Sequence, residues 1–396
     1  MKPKIIVLCF NYEPSQFPRK PDSENRFYTY GFGSTFGKLF NHYLKEYDVE
    51  VWRLDGYCEG KYYEKSLDNI KFRIFHSIHL NKLGYFSLKY IKELRKNRNN
   101  KNTIFFVVHT HNWQTYQAAF FLKGAKIVTT HHGDWSPFFL YDTSRGLRKL
   151  KALFGKIIEK ITFKNICYFL ICDINQVKYI KKANPGMQFE IFSTGLDIKR
   201  FKYISKKEAR NELHLSDDKK YILYVGKLYK YKQVDKLIEI WLDIKKTMPE
   251  TELLIAGNEK RGKWGEEYYD LAIESGATVI GRVLNIDLYK YYCAADVYVL
   301  LSLRDDYFGG TGIAPLESLA CNTPVVSNSL KNYLGKNADE IGEIPQSDEE
   351  YKEAIMKVLN EPGKYKNMRE SVEQFYSLEA VSKRMGIVFK KVSELK

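Results

Sequence analysis

The chain has 396 residues, of which 44% are hydrophobic and 28% are charged, and its formal net charge is +15. This length exceeds one ordinary hydrophobic core and predicts two domains, and the composition excludes a disordered or fibrous protein. No apolar run reaches the roughly 20 residues that a membrane-spanning helix needs. The positive charge favours anionic partners, such as nucleic acid, an acidic membrane surface or phosphorylated small molecules, without choosing among them.

The first residues and the cysteines indicate a cytoplasmic protein. The apolar run after Lys4 is short and no small-residue cleavage site follows it, so a buried first strand fits better than a signal peptide. The six cysteines are scattered without a C-x-x-C pair, which is typical of reduced thiols in a cytosolic protein.

Short apolar runs alternate with helical patterns through the first half of the chain. We predict strands at 4–10, 49–54, 70–75, 103–109, 126–130 and 166–172. This alternation is typical of a mostly parallel, doubly wound sheet, in which ligands bind beyond the carboxyl ends of the strands.

A long loop and a glycine-rich segment follow the first strand. Residues 11–30 are rich in aromatic and basic side chains, and loops of this length are usually functional or disordered. In the segment 31–37 the third glycine comes one residue too late for the dinucleotide-binding fingerprint. We predict an amphipathic helix with Ser34 as its N-cap. Gly37 inside it indicates close approach of a ligand or strand, or ordinary packing.

Four of the eight histidines follow two predicted strands: His109, His111, His131 and His132. His109 and His111 would face the same way, because they are two residues apart on an extended chain. Cysteine partners and H-E-x-x-H spacing are absent, which argues against zinc. Neutral histidines that hydrogen-bond a polar ligand are our interpretation, with structural histidines as the alternative.

Segment 145–164 predicts a basic amphipathic helix. Leu150, Phe154, Ile157 and Ile161 recur at helical spacing, and lysines and arginines fill positions between them. We expect this apolar stripe to cover the sheet and the charged side to face solvent. Docking on a membrane surface or an acceptor is the alternative.

The second half repeats the pattern after a break. Periodicity lapses at 183–200, which we predict to be the interdomain linker. Ser205 and Glu208 form a capping-box pattern that predicts a new helix. Strands are then predicted at 221–225, 251–256, 277–280, 296–301 and 324–327, so we expect a second doubly wound domain.

Glycines and cations follow the strands of this second domain. Gly226, Gly257 and Gly281 follow three successive strands, where the missing side chain lets a ligand approach the backbone. Lys227 and Lys232 flank a turn and would hold a diphosphate from both sides. Solvated surface lysines are the alternative.

The segment from Gly309 to Cys321 predicts a nucleotide site. Its glycines lead into a helix whose first N–H groups, from Gly312 and Ile313 onward, would bind an anion. Glu317 would accept hydrogen bonds from two adjacent hydroxyls. A phosphate beside a vicinal diol describes a nucleotide. The alternative is that Glu317 only stabilises its own helix N-terminus.

Five motifs between residues 221 and 327 resemble the family 4 retaining glycosyltransferases of the GT-B fold. In chain order they read Tyr-Val-Gly-Lys-x4-Lys, Leu-Ile-Ala-Gly-Asn, Ile-Gly-Arg-Val, Ala-Ala-Asp-Val-Tyr-Val-Leu-Leu-Ser and Gly-Ile-Ala-Pro-Leu-Glu-Ser-Leu-Ala-Cys-Asn-Thr-Pro-Val-Val-Ser. The first half is similar more loosely, through its His-Thr-His-Asn-Trp and Thr-His-His-Gly stretches.

The resemblance implies an α/β protein with two Rossmann-like domains facing a cleft. Residues 1–190 would form the acceptor-side domain and 200–375 the nucleotide-sugar-binding domain, and a helix in 376–396 would pack back onto the first domain. The donor substrate would be a nucleoside diphosphate sugar, UDP- or GDP-linked, and the acceptor a saccharide or a lipid-linked hydroxyl. The resemblance implies no cofactor, metal or nucleic acid, and the positive charge suits peripheral association with an anionic membrane.

The resemblance also assigns site residues. Lys227 and Lys232 match the pair that holds the diphosphate, and Glu317 matches the carboxylate on the ribose hydroxyls. The other donor-binding matches are Gly33, Gly226, Gly257, Arg282, Val283, Gly310, Thr311, Gly312 and Ile313. His132 matches the catalytic histidine placed against the transferred sugar, with His131 as the alternative.

One position departs from the family's pattern. The family usually carries a second glutamate eight residues before the ribose carboxylate, and Gly309 stands there. Asp305 or Asp306 would take over its contact to the donor sugar if the preceding segment differs in length. The sugar's identity therefore stays open.

Our hypothesis is a retaining hexosyltransferase, and two other functions stay open beside it. A sugar-nucleotide epimerase of the same fold would need no acceptor. A basic nucleic-acid-binding protein is the other alternative, although no RNP-type motif, helix-turn-helix or finger spacing supports it.

Overall fold

A computed structural model describes residues 2–10, 32–56, 62–79, 85–228, 230–257, 266–301, 308–335 and 338–395. The chain forms two compact units, one of Met1–Phe192 with Val381–Lys396 and one of Ser193–Ala380. The predicted loop 11–30, together with Asp305 and Asp306, lies outside the described residues.

The first unit is built on a mostly parallel sheet. Its described strands are β1 (Lys4–Phe10), β2 (Asp48–Asp55), β3 (Tyr63–Leu67), β4 (Ile70–His76), β5 (Ile78–His79), β6 (Tyr85–Phe86), β7 (Thr103–Val108), β8 (Lys126–His131), β9 (Tyr168–Ile171) and β10 (Phe189–Ile191). Eight of them form one sheet in the order β10-β9-β8-β7-β1-β2-β4-β3, in which only β3 runs antiparallel to its neighbour. Every residue of β7 is buried, as expected for a parallel strand covered on both faces.

The second unit repeats this architecture. Its described strands are β11 (Lys220–Gly226), β12 (Thr251–Gly257), β13 (Thr278–Gly281), β14 (Val297–Val299), β15 (Val325–Val326) and β16 (Gly342–Glu343). They form one parallel sheet in the order β13-β12-β11-β14-β15-β16. The predicted second doubly wound domain is confirmed.

Helices connect most of these strands. In chain order they are α1 (Phe32–Tyr43), α2 (Leu88–Asn97), α3 (Trp113–Phe121), α4 (Pro137–Thr143), α5 (Gly146–Thr162), α6 (Val177–Ala183), α7 (Lys206–Glu212), α8 (Val234–Lys245), α9 (Glu266–Glu274), α10 (Leu288–Ala294), α11 (Ile313–Ala320), α12 (Ala338–Ile341), α13 (Asp348–Asn360), α14 (Met368–Tyr376) and α15 (Leu378–Ser393). Ser205 caps α7 as predicted, since its Oγ accepts the N–H of Glu208 at 3.2 Å. None of the helices in the described ranges has both the length and the apolar character that crossing a bilayer requires.

Helix α1 begins two residues before its predicted N-cap. Ser34 lies inside the helix with a buried Oγ that has no hydrogen-bond partner, so the prediction that it caps the helix was wrong. The glycines explain why the helix continues through this point. A Cβ at Gly33 would overlap the Cys9 side chain, and one at Gly37 would overlap Val51. These glycines let α1 pack closely on β1 and β2.

Helix α5 corrects a second prediction, because its apolar stripe does not cover the sheet. Leu150, Phe154, Ile157 and Ile161 are exposed, and the buried residues are Ala152, Glu159 and Thr162. The cause is a polar contact on the inner side of the helix, where buried Glu159 accepts a hydrogen bond from the Tyr116 hydroxyl at 2.7 Å.

The C-terminal helix α15 packs on the first unit, as predicted. Val381, Met385, Val388 and Val392 are buried along one face. The ring of Phe389, also buried, meets Phe40 edge-on at 5.2 Å and Phe106 at 5.8 Å. Residues of α15 therefore form part of the hydrophobic core of the first unit.

Candidate active site

Asp134 organises the carboxyl ends of β7 and β8 in the first unit. Its Oδ1 lies 3.0 Å from His109 Nδ1, and its Oδ2 accepts the backbone N–H of Thr110 at 3.1 Å. Burial alone would raise the pKa of Asp134, but the charge and hydrogen bond of His109 hold the pKa well below its usual range. Asp134 is therefore ionised at neutral pH and fixes the direction of the His109 ring.

His109 and His111 do not face the same way, which corrects the expectation from their spacing. His109 has a left-handed backbone with φ of +74°, because the extended chain of β7 ends one residue earlier. Its side chain contacts Asp134, whereas His111 is fully buried with its Nδ1 2.7 Å from Glu159 Oε1. Within the described residues, no cluster of three or more His, Cys, Asp or Glu is placed to hold a metal ion.

His132 is half-buried just after β8. Its Nε2 lies 2.9 Å from Thr130 Oγ1, and its ring stacks on Phe32 with the centroids 4.5 Å apart. Burial, and then the neighbouring His109, lowers the pKa of His132 to about 3. The ring is therefore neutral at pH 7 and can act as a hydrogen-bonding group without carrying a charge.

His131 points the opposite way and is fully buried. Its Nε2 donates to the Asp134 carbonyl at 2.9 Å, so Nδ1 is the accepting nitrogen. Nδ1 lies 3.2 Å from Cys172 Sγ, and burial lowers the pKa of this histidine to about 4. Since both ring nitrogens are engaged by the protein, the geometry favours His132 over His131 as the histidine that can meet a ligand.

In the second unit, Gly226 and Gly257 lie side by side where β11 and β12 end. A Cβ at Gly257 would overlap the carbonyl oxygen of Gly226, and one at Gly226 would lie 2.8 Å from the Tyr224 hydroxyl. Gly257 is therefore required by backbone packing and Gly226 by the Tyr224 side chain, irrespective of any ligand. After β13, Arg282 is exposed and Val283 is half-buried.

Lys227 and Lys232 lie close enough to influence each other. Lys227 follows β11 and is exposed, and Lys232 is half-buried in a short 3-10 turn. Burial, and then the positive charge of Lys227, lowers the pKa of Lys232. An anion bound beside both lysines would offset this repulsion.

The predicted anion-binding loop leads into α11. Gly310 and Gly312 have φ of +64° and +82°, a backbone conformation that glycine adopts without strain. Between them Thr311 is buried, its carbonyl accepts the Ser329 hydroxyl at 3.0 Å, and its own Oγ1 has no hydrogen-bond partner. Ile313 is exposed at the first turn of α11, so the helix N-terminus is reachable from solvent.

Glu317 is half-buried on α11 and is held by Tyr292 of α10. The Tyr292 hydroxyl donates to Glu317 Oε2 at 2.8 Å, and Tyr292 is itself fully buried. Burial raises the pKa of Glu317, and the tyrosine's hydrogen bond opposes part of that rise. Sequence reasoning missed both Tyr292 and Asp134. Tyr292 belongs to no local motif, whereas Asp134 directly follows the Thr-His-His-Gly stretch, which is the signal that could have found it.

Comparison with known proteins identifies the second unit. Residues 205–375 match the family model described as glycosyl transferases group 1. The match covers most of the second unit and indicates a glycosyltransferase. An uncharacterized glycosyltransferase of Methanocaldococcus jannaschii is 24% identical to this chain over an alignment of 310 positions, which covers 73% of this chain and 76% of the relative.

Solved structures match both units of the glycosyltransferase. Sucrose-phosphate synthase from Thermosynechococcus elongatus has a TM-score of 0.68 at 18% identity, covering 98% of this chain and 99% of that one. HepE from Anabaena, in complex with UDP, has a TM-score of 0.66 at 13% identity, covering 98% and 100%. The predicted GT-B fold is confirmed. Membership of family 4 stays a prediction.

Proposed function

We propose that this glycosyltransferase moves a hexose from a nucleoside diphosphate sugar to a hydroxyl acceptor with retention at the anomeric carbon. One observation carries the proposal: half-buried Glu317 lies one turn into a helix that begins directly after the Gly310–Gly312 loop. A helix N-terminus favours phosphate, and a carboxylate a turn away can accept two hydrogen bonds from a ribose.

The cations of the second unit fit the leaving group. In the transfer the bond between the anomeric carbon and the phosphate oxygen breaks, and its electron pair goes to the diphosphate. The acceptor oxygen forms the new bond on the same face of the sugar, and its proton passes to an oxygen of the departing diphosphate. Lys227, Lys232 and the α11 amides are preplaced charges and dipoles that would stabilise the departing diphosphate. The charge of Lys227 adds to burial in lowering the pKa of Lys232, so the two cations lie near each other.

The proposed site does not by itself choose between the two candidate donors. UDP- and GDP-sugars offer the same diphosphate and ribose, and the UDP bound by HepE supports UDP as the first donor to test. We propose a saccharide or lipid-linked hydroxyl as acceptor, and His132 as the group that contacts the transferred sugar.

Ligand-induced stabilisation tests the donor site. A panel of UDP, GDP and their hexose derivatives at 100 times the dissociation constant should stabilise the protein by about 2.7 kcal/mol for the matching nucleotide. That is a rise of a few degrees in melting temperature for a unit of this size. Glu317→Gln should lose most of the response, because the neutral amide accepts fewer hydrogen bonds from the ribose.

A matched control separates ligand loss from damage to the fold. Glu252 is another half-buried carboxylate of the same unit, paired with Lys219 on the surface, and Glu252→Gln should keep the full response. A full response in Glu317→Gln would place the ribose elsewhere. No response to any nucleotide would end the donor-site proposal. Analysis of products formed from donor alone distinguishes a transferase from an epimerase.

A further inference from the structure

Helix α5 turns its apolar face outward. Six large apolar side chains along it are between 38% and 85% exposed. We call this row the α5 stripe: Leu147, Leu150, Leu153, Phe154, Ile157 and Ile161. At 100° per residue they fall within one side of the helix, so they form a continuous band along its roughly 26 Å length. Single exposed apolar residues are ordinary, but a contiguous band marks an interaction surface.

The inner side of α5 fixes this orientation. Glu159 is fully buried, and its Oε1 lies 2.7 Å from both the Tyr116 hydroxyl and His111 Nδ1. Gly155 lets the helix approach α4 so closely that a Cβ there would lie 2.9 Å from Pro137. Turning the stripe inward would expose these contacts and place a row of leucines and isoleucines against them. The contacts on the inner side of α5 therefore hold the stripe outward.

Positive charge borders the stripe on both sides. Helical spacing puts Lys149, Lys156 and Lys160 along one border and Lys151 along the other. The Nζ atoms of Lys156 and Lys149 lie 3.7 Å and 4.8 Å from the centre of the Tyr141 ring, which keeps both cations beside the helix. The one acidic residue of α5, Glu159, is buried, so the outer face of this helix carries no negative charge.

We infer that the α5 stripe docks the protein on the surface of an anionic lipid bilayer. Apolar side chains at the centre of a helix, with lysines at its borders, are the arrangement that lies in the plane of a membrane interface. The lysines reach lipid phosphates while their stems stay in contact with apolar surface. A second copy is a poorer occupant, because pairing two stripes would bring the lysine borders together without an exposed acidic side chain of α5 between them.

Vesicle sedimentation of the full chain tests this surface, and it needs no sugar transfer, so it is independent of the proposed function. Wild-type protein should bind phosphatidylcholine vesicles containing phosphatidylglycerol, bind pure phosphatidylcholine much less, and detach as salt is raised. The double variant Ile157→Ser with Ile161→Ser should lower the vesicle partition coefficient at least about tenfold.

The chain offers a control matched in chemistry and exposure. Ile157 and Ile161 are 50% and 56% exposed, and Ile273 and Ile387, which lie on other helices, are 51% and 56% exposed. Ile273→Ser with Ile387→Ser should bind vesicles as the wild type does. Equal loss in both double variants, or no binding to anionic vesicles, would overturn the inference. A dimer in solution that the stripe variant alone dissociates, without vesicle binding by the wild type, would assign the stripe to a second copy instead.

Discussion

Two opposing effects act on the pKa of Glu317. Burial disfavours its charge, and the Tyr292 hydroxyl favours it by donating a hydrogen bond to Oε2. The net effect is a raised pKa, so the carboxylate becomes protonated at a higher pH than an exposed glutamate. A protonated carboxyl accepts fewer hydrogen bonds from a ribose, and donor affinity should therefore fall as the pH drops through this pKa.

Tyr292→Phe should make that fall begin at a higher pH. The substitution removes the hydrogen bond that favours the charged form, so the pKa of Glu317 rises further and the loss of donor affinity on acidification begins at a higher pH. Calorimetric titration with UDP between pH 5 and 8 measures the shift. Tyr333→Phe is the control, since Tyr333 is a buried tyrosine of the same unit whose hydroxyl is hydrogen-bonded to Ser371 rather than to Glu317. An unshifted pH profile in Tyr292→Phe would show that the tyrosine only fills space.

Local motifs predicted some site residues and missed others for one physical reason. Lys227, Lys232 and Glu317 stand at fixed offsets from a strand end or a helix start, so the sequence marks them. Tyr292 lies 25 residues from its partner Glu317, and such a contact is visible only in the folded chain. His131 and His132 are adjacent in sequence, and only the folded chain shows that both ring nitrogens of His131 have protein partners.

Among the elements, the pairing of β11 and β12 in the second unit leaves no room for an added methyl group at Gly257. Gly226 and Gly257 are aligned across this pair, and the backbone of one occupies the space that a side chain on the other would need. The turn with Lys227 and Lys232 follows β11, so the proposed donor site depends on this part of the sheet.

Gly257→Ala should destabilise the second unit by about 1–3 kcal/mol, the usual cost of inserting a group into a packed interior. Urea unfolding measures the change. Gly363→Ala is the control, because a Cβ at Gly363 would meet no atom within 4 Å. If both variants unfolded at the same urea concentration, the prediction would be wrong, and β11 and β12 would be able to move apart to accept the methyl group.

The long buried strands were predictable and the polar or very short ones were not. Strands such as β1, β7 and β12 are apolar runs that match their predicted ranges within a residue or two. β3 alternates half-buried and exposed positions at the sheet edge and carries two charged residues, and β16 has two residues, so neither gives an apolar run. Periodicity located the apolar side of α5. It could not show that the side carrying Glu159 faces inward, because His111, the partner of Glu159, is 48 residues away.

At the scale of the whole molecule, the first unit is assembled from two distant pieces of chain. Residues Val381–Lys396 belong to it, although the second unit lies between them and Phe192. Arg384 joins the pieces with a 2.7 Å ion pair to Glu190, and Phe389 fills space beside Phe40 and Phe106. The resemblance, rather than periodicity, predicted this return of the last helix.

Phe389→Ala should destabilise the first unit by about 3–5 kcal/mol, since it removes a fully buried ring. Hydrogen exchange resolves the effect by unit: amides of β1 and β7 should exchange faster, and those of β11 and β12 should keep their protection. Leu395→Ala, at a half-exposed position of the same segment, should change neither. Equal loss of protection in both units would mean that Phe389 supports the whole molecule rather than the first unit.

Because the first unit is built from two separate segments of the chain, the order in which the units can fold during synthesis is also constrained. Domains usually fold as they leave the ribosome, from the N-terminus onward. Here Phe40 and Phe106 face an incomplete core until residues 381–396 have been made, and by then every strand of the second unit has already been translated. The unit that is translated first is therefore the one that is finished last.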